Sequence, residues 1–377
     1  MARIVYALSG QGRGHASRVL AIARGLRERG HELRFCCGGT ARAVLEACGE
    51  PVWPVPALRQ VLHGNRMRLA ATLRANLPVL RKLRCLLDEL TELLADFRPH
   101  LVITDFEALT PRAAARLGLP VLSFNHQQVI TETRYTLPFR YWKDALLAHL
   151  AIHLIAPPRP LHVLLTSFYF LPLRHPERTT LIPPIIRPEV QHLTPTEEAH
   201  VLVYFNQPEG VDHLPEVLAS LPVPFVLYNV PRSPHADDYP NLTFKPPTID
   251  GFLEDLARCR AVLCTAGFTL MSEALYLGKP LLVVPNRGIF EQTLNALFLE
   301  RKGLGMAICD RELRADDVQR FLEACPYYRQ RLQAHPLRCG NEMALDFIER
   351  LLHRLEMRRY RGRPLQTIRE NTALSFI

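Results

Sequence analysis

The chain has 377 residues, 48% of them hydrophobic, enough to bury two ordinary globular cores. A formal charge of +9 licenses attraction to polyanions. The arginines, however, lack the interleaved aromatics of a single-strand binder and form no recognition helix, which argues against specific nucleic-acid binding. Nine scattered cysteines, an odd number without zinc spacing, argue against a disulfide framework and for a reducing compartment.

The chain enters directly into an apolar strand at residues 3–8, so no secretory signal is expected. Ser9-Gly10-Gln11-Gly12-Arg13-Gly14-His15 follows as a glycine-rich loop. Val19, Leu20, Ile22, Ala23 and Leu26 then recur at helical spacing, which predicts a helix stopped by Gly30. Residues 32–37 return as a strand and complete a βαβ unit. The loop is not a dinucleotide fingerprint. G-x-G-x-x-G would need glycine where His15 stands, and no acidic residue closes the second strand at Phe35, Cys36 and Cys37. Nor is it a P-loop, because no Gly-Lys-Ser or Gly-Lys-Thr follows.

Residues 58–97 are rich in leucine and arginine, with Arg66, Arg68, Arg74, Arg81, Lys82 and Arg84 among apolar positions. Residues 135–155 mix aromatics and leucines with few charges. Both stretches suit either a lipid headgroup layer or a helix packed on the core with a basic outer face, so a membrane surface is the better anionic partner. No apolar run is long enough to span a bilayer; residues 145–156 come nearest and are broken by His149 and His153. Residues 100–104 read as a strand delivering Asp105, Phe106 and Glu107 at its carboxyl end. Residues 121–124 read as another, ending in Asn125-His126-Gln127-Gln128. Asp105 could orient His15 or His126 as the carboxylate of a base dyad, or Glu107 could itself be the base. The plainer alternatives are helix capping by Asp105 and a structural His126.

Prolines 172, 176, 183, 184, 188 and 195 mark residues 172–199 as a linker between a domain at 1–171 and a second at 200–337. A last amphipathic helix at 338–354 opens a C-terminal segment, 338–377, with a basic tail at 357–369. In the second domain, strands are expected at 201–205, 225–229 and 241–244. Val262, Leu263 and Cys264 form a short buried strand that Gly267 breaks. Thr269 can then cap a helix whose first amides would face an anion such as a diphosphate. Glu273, one turn in, offers two acceptor oxygens to a vicinal diol. Gly278, Lys279 and Pro280 stop that helix, residues 281–284 form a strand covered on both faces, and Glu291 and Gln292 open the next helix. That position, at the carboxyl end of a strand, is where doubly wound folds bind ligands.

Taken in order, these motifs resemble those of GT-B glycosyltransferases, in particular the peptidoglycan N-acetylglucosaminyl transferase type and its UDP-glycosyltransferase relatives. The resemblance implies an α/β protein of two Rossmann-like domains with parallel sheets facing a central cleft, the C-terminal helix crossing back onto the first domain. It places a donor diphosphate on Ala266, Gly267, Phe268 and Thr269, the ribose on Glu273, and the donor hexose on Glu291 and Gln292. The segment Pro247-Thr248-Ile249-Asp250 resembles the one whose main chain reads uracil, which points to Ile249. Asn295 is expected to be structural. The loop G-x-G-R-G-H-x-x-R resembles an acceptor-side loop, so Gly12, Arg13, Gly14 and His126 fall on the acceptor side. Arg13 or Arg18 could meet a phosphate on a lipid-linked acceptor.

On this reading His15 removes a proton from the acceptor hydroxyl, which attacks the anomeric carbon as the diphosphate leaves; a histidine that only binds phosphate or caps the loop is the alternative. No cofactor is expected beyond a nucleotide sugar as co-substrate, with UDP as its carrier. With no Asp-x-Asp metal anchor, leaving-group charge would fall to the helix dipole and amides. The partners implied are the nucleotide sugar, an acceptor glycan, lipid or small molecule, and a peripheral membrane contact, at the cytoplasmic face. One departure stands out: Asn206-Gln207-Pro208-Glu209-Gly210 replaces the Gly-Ser-rich phosphate loop of the peptidoglycan type, which leaves open the donor and two rival readings, a nucleotide-sugar epimerase or hydrolase and a noncatalytic nucleotide-sugar binder.

Overall fold

The computed structural model describes residues 1–63, 66–205, 213–232, 238–246 and 249–360, the side chains of 249–250 and 358–360 excepted. These residues form two compact units. One comprises Met1–Arg59, Leu73–Ile185 and the described chain after Arg338; the other comprises Gln60–Thr72 and Ile186–Arg338.

The first unit is built on a parallel sheet of seven strands: β1 (Arg3–Leu8), β2 (Glu32–Cys37), β3 (Val52–Pro54), β4 (Leu101–Asp105), β5 (Val121–Asn125), β6 (His162–Thr166) and β7 (Thr179–Ile182). Its order is β3-β2-β1-β4-β5-β6-β7. The sequences RIVYAL, LVITD and VLSFN are near-continuous apolar runs because helices cover both faces of the sheet. Strand order reverses between β1 and β4, which pair with Leu8 beside Asp105. In a doubly wound sheet the crevice at such a reversal is the usual ligand site, so the loops after β1 and β4 meet where chemistry is expected.

The helix Arg13–Glu28 drives Val19, Ile22, Ala23 and Leu26 into a core with Ile4, Tyr6, Leu8 and Phe35. Leu345, Ile348, Leu351 and Leu355 of the helix Asn341–Tyr360 join the same core. A Cβ on Gly25 would lie 2.5 Å from Leu345 Cδ1, which explains a glycine in mid-helix despite its conformational cost. This last helix runs through residues 357–360, the start of the stretch read as a basic tail; residues 361–377 lie outside the described residues.

The second unit holds a parallel sheet of six strands: β8 (Val201–Tyr204), β9 (Phe225–Tyr228), β10 (Leu242–Lys245), β11 (Ala261–Cys264), β12 (Leu281–Val283) and β13 (Gly305–Ala307), in the order β10-β9-β8-β11-β12-β13. Val201, Val203, Leu263 and Leu282 pack with Val318 and Phe321 of the helix Ala315–Ala334. The reversal here falls between β8 and β11. The segment Asn206–Gly210 that follows β8 lies outside the described residues.

Two features depart from the expected boundaries. β7 and the short helix Pro188–Gln191 lie inside the stretch read as a linker, because four residues flanked by prolines give too little periodicity to read as a strand. Residues 60–72 belong to the second unit although they precede most of the first: Met67 donates its backbone N–H to the Arg287 carbonyl at 2.9 Å.

Candidate functional site

The glycine loop after β1 is shaped by two different needs. Gly10 has no room for a side chain, since a Cβ would stand 2.4 Å from Ala57 Cβ and 2.7 Å from the Gly38 carbonyl oxygen. Gly12 has ample room but adopts φ 75° and ψ 163°, a region nearly closed to other residues. Gly12 and Arg13 are exposed and Gly14 half-buried at the start of the helix Arg13–Glu28.

One turn further on, the helix presents His15 and Arg18 on one face, three residues apart. Asp105, at the end of β4, meets both. His15 Nδ1 lies 3.0 Å from Asp105 Oδ2, and Arg18 Nη2 donates to Oδ1 and Oδ2 at 3.1 and 3.0 Å. Arg18 Nη2 also lies 3.2 Å from His15 Nδ1. Because the guanidinium can only donate and its hydrogens are drawn to the carboxylate, Nδ1 carries the imidazole proton and gives it to Asp105. Nε2 is then left as the basic nitrogen. Gln127 Nε2 stands 3.4 Å from it, and the Gln127 Oε1 is buried without a hydrogen-bond partner. Asp105 is 2% exposed while the His15 side chain keeps 14%. Burial pushes the Asp105 carboxyl up, but Arg18 and His15 outweigh it and hold the group below its ordinary value. The carboxylate is thus fixed in its charged form, behind an imidazole that still reaches the surface. A cavity of about 10 Å³ lined by Tyr6, Arg18, Asp105 and Thr166 lies behind the pair, too small for a substrate.

The remaining candidates on this sheet take other places. Phe106 has φ 60°, a strained value for a bulky residue, and the turn it makes sends Glu107 away from His15's partners. Glu107 Oε1 and Oε2 accept the Leu109 and Thr110 amides at 2.7 Å each, so its carboxylate caps the start of the helix Thr110–Arg116. Burial nonetheless pushes its carboxyl up against those bonds. His126 is fully buried, its Nδ1 2.7 Å from the Thr166 carbonyl and not on Asp105. Arg18 is buried on Asp105.

On the second sheet the helix Phe268–Tyr276 has at its N-cap position Gly267, which carries no side chain to cap it; Thr269 is a helix residue and not the cap. Ala266 and Phe268 are buried, and Gly267 and Thr269 half-buried. The Thr265 hydroxyl, in the same turn, is buried without a hydrogen-bond partner. Glu273 is 1% exposed, and both its oxygens are taken: Arg187 Nε and Nη2 donate to Oε1 and Oε2 at 2.6 Å. A ribose diol therefore finds no open carboxylate here. Arg187 was invisible to motif reading because it sits among prolines. Gln292 Oε1 accepts the Asn286 amide at 2.8 Å and braces the loop after β12, with Glu291 half-buried beside it. Asn295 Nδ2 donates to the Ala266 carbonyl at 3.2 Å, a structural tie. Ile249 begins the helix Ile249–Arg258, but its side chain lies outside the described residues.

The model of glycosyl transferase family 1 matches residues 2–326. The chain belongs to that family. It is 26% identical over 352 residues, 84% of this chain and 91% of the relative, to an uncharacterized glycosyltransferase of Methanosarcina acetivorans. A second uncharacterized glycosyltransferase, from Methanosarcina mazei, is 25% identical over 80% of this chain and 84% of its own length. Among solved structures, the glycotransferase of kitacinnamycin superposes with a TM-score of 0.66 at 19% identity, covering 93% of this transferase and 98% of that chain. MurG of Acinetobacter baumannii gives 0.61 at 15% identity over 93% and 100%. These likenesses carry the GT-B fold. The enzyme is a GT-B glycosyltransferase.

Proposed function

We propose that this transferase moves a sugar from a nucleoside diphosphate donor, UDP-linked, to an acceptor hydroxyl, with His15 as the general base. The observation that carries the reading is the His15–Asp105–Arg18 arrangement at the strand-order reversal. A charged, buried carboxylate holds the imidazole proton on Nδ1, leaving Nε2 to take the hydroxyl proton as the oxygen attacks the anomeric carbon. When the hydroxyl loses its proton the imidazole becomes cationic, and Asp105 stabilises that charge. Arg13, exposed at the rim of the loop, and Gly12, with open space above it, suit an acceptor close to the backbone.

The departing diphosphate goes to the start of the helix Phe268–Tyr276, where the macrodipole and the first amides favour an anion without a metal. The unpartnered Thr265 hydroxyl supports a ligand there. Glu273 enters this reading as the anchor of Arg187, not as a diol acceptor. The acceptor class is a lipid-linked or cell-envelope hydroxyl reached at the cytoplasmic face of a membrane. Among the described residues no helix is long and apolar enough to cross one.

The test is isothermal titration with UDP, GDP, dTDP and their sugars, followed by turnover with His15→Ala. Saturable binding of one diphosphate, unchanged in His15→Ala, with transfer lost in that variant, is expected. Transfer preserved in His15→Ala removes the base. Free sugar released from the donor without any acceptor reassigns the protein as a hydrolase.

A further inference from the structure

We propose that the helix Trp142–Ile155 seats the transferase on a membrane surface that carries anionic lipid. The helix is apolar on nearly every side, yet it buries only Ala145 and Ile152. Phe139, just ahead of it, and Trp142, Leu146, Leu147, Leu150 and Leu154 stand 41–83% exposed. Positions 142, 146, 150 and 154 recur every fourth residue and so form one ridge along the helix. Phe139 stacks on Trp142 at its N-terminal end, with centroids 6.2 Å apart. A contiguous exposed apolar surface of this kind marks a site of interaction. The helix is also held firmly from behind: Arg112 donates to the Ile155 carbonyl at 3.2 Å, which fastens its C-terminal end to the unit.

Charge identifies the occupant. From residue 133 to 175 the chain carries Arg134, Arg140, Lys143, Arg159 and Arg174 against one carboxylate, Asp144. Lys143 Nζ lies 5.6 Å from the Trp142 ring centre, and the Arg140 guanidinium 4.8 Å from that of Tyr141. Rings and cations are thus gathered at one end of an apolar ridge. A headgroup layer takes both, the rings at the interfacial depth and the cations on lipid phosphates. A two-fold contact of this face with itself would bring the same cations together, against Asp144 alone. The signature recurs on the helix Leu69–Arg81, where Leu69, Leu73, Leu77 and Leu80 are exposed, no residue is buried, and no acidic residue occurs from 51 to 87.

The inference extends the membrane-face acceptor proposed above, but its test involves no turnover, so its failure leaves the transfer reading standing. The purified full chain is floated with vesicles of phosphatidylcholine alone and of phosphatidylcholine with phosphatidylglycerol. Expected is flotation with the second kind, weakened by salt. The triple variant Leu146→Ser, Leu150→Ser, Leu154→Ser should partition at least about tenfold more weakly with an unchanged melting temperature, because these side chains are in water already. Arg140→Glu with Lys143→Glu should lose about tenfold and abolish the preference for anionic lipid. Wild-type protein that ignores both vesicles, or a serine variant that floats as well as wild type, overturns the proposal. A solution dimer that the serine variant dissolves assigns the face to a second copy instead.

Discussion

Each unit of this transferase places an arginine on a buried carboxylate near a helix start that follows a strand, yet the two pairs end up with opposite characters. In the first, Arg18 and His15 share Asp105, and the histidine carries the effect of the buried charge outward through a partly exposed ring. In the second, Arg187 takes both oxygens of Glu273 and nothing is left to carry the charge further. A buried ion pair is weak evidence of function by itself. What separates the two is the third group, an imidazole that stands between the buried carboxylate and the surface with 14% of its side chain exposed.

The strongest way to break this contrast is to remove that third group. His15→Ala should lower turnover by about 10²–10⁴-fold while leaving diphosphate affinity intact, read by product release and by titration. Asp105→Asn should follow, losing both the anchor of the imidazole and about 3–5 kcal/mol of stability, because Arg18 is left buried without its counter-charge. Its acid dependence has a definite sign. The folded-state value of Asp105 lies below its unfolded value, so its contribution is complete above about pH 4 and fades as acid carries the pH down through the folded value. Wild type and Asp105→Asn should therefore converge in chemical-denaturation stability toward low pH.

The second pair should behave as structure. Arg187→Ala should cost roughly 3 kcal/mol by stranding a buried Glu273. Glu273→Gln should cost less and shift diphosphate affinity little; a selective loss of affinity with unchanged melting would make this pair a ligand site as well. Gly10→Ala should destabilise by about 1–3 kcal/mol, since the Gly38 carbonyl cannot move aside easily, and should do so without altering donor affinity. The smallest effect is expected at Glu107→Gln, about 1–2 kcal/mol from a weakened helix cap with turnover per folded molecule preserved. A large loss of turnover there would return Glu107 to the list of bases.

Much of the frame could be read beforehand because it is local. Short apolar runs placed β1, β4 and β11, three-to-four spacing placed the helix Arg13–Glu28, and glycines located both loops and the start of the helix Phe268–Tyr276 within a few residues. His15 and Asp105 were legible as residue types at the right ends of strands. The share of Arg18 in the site was less so, although its three-residue offset from His15 on one helix was a usable signal. Arg187 gave none, because a lone arginine among prolines has no periodicity to interpret. Glu273 is the opposite case: its motif position was clear, and its burial under Arg187 was not.

The amino-acid sequence by itself determined two parallel α/β units, the turns that open their helices, and the chemical types present at each strand end, since all of these follow from propensity, glycine conformation and short-range spacing. Only the tertiary structure decided which partner each of those groups received. Asp105 has a histidine-bearing segment after the strand on either side of it, and it serves His15 because His126 turns its Nδ1 to the Thr166 carbonyl; Glu273 is closed because a distant arginine reaches it. Pairing of strands far apart in the chain is settled by the packing of the whole core, and no local pattern carries it.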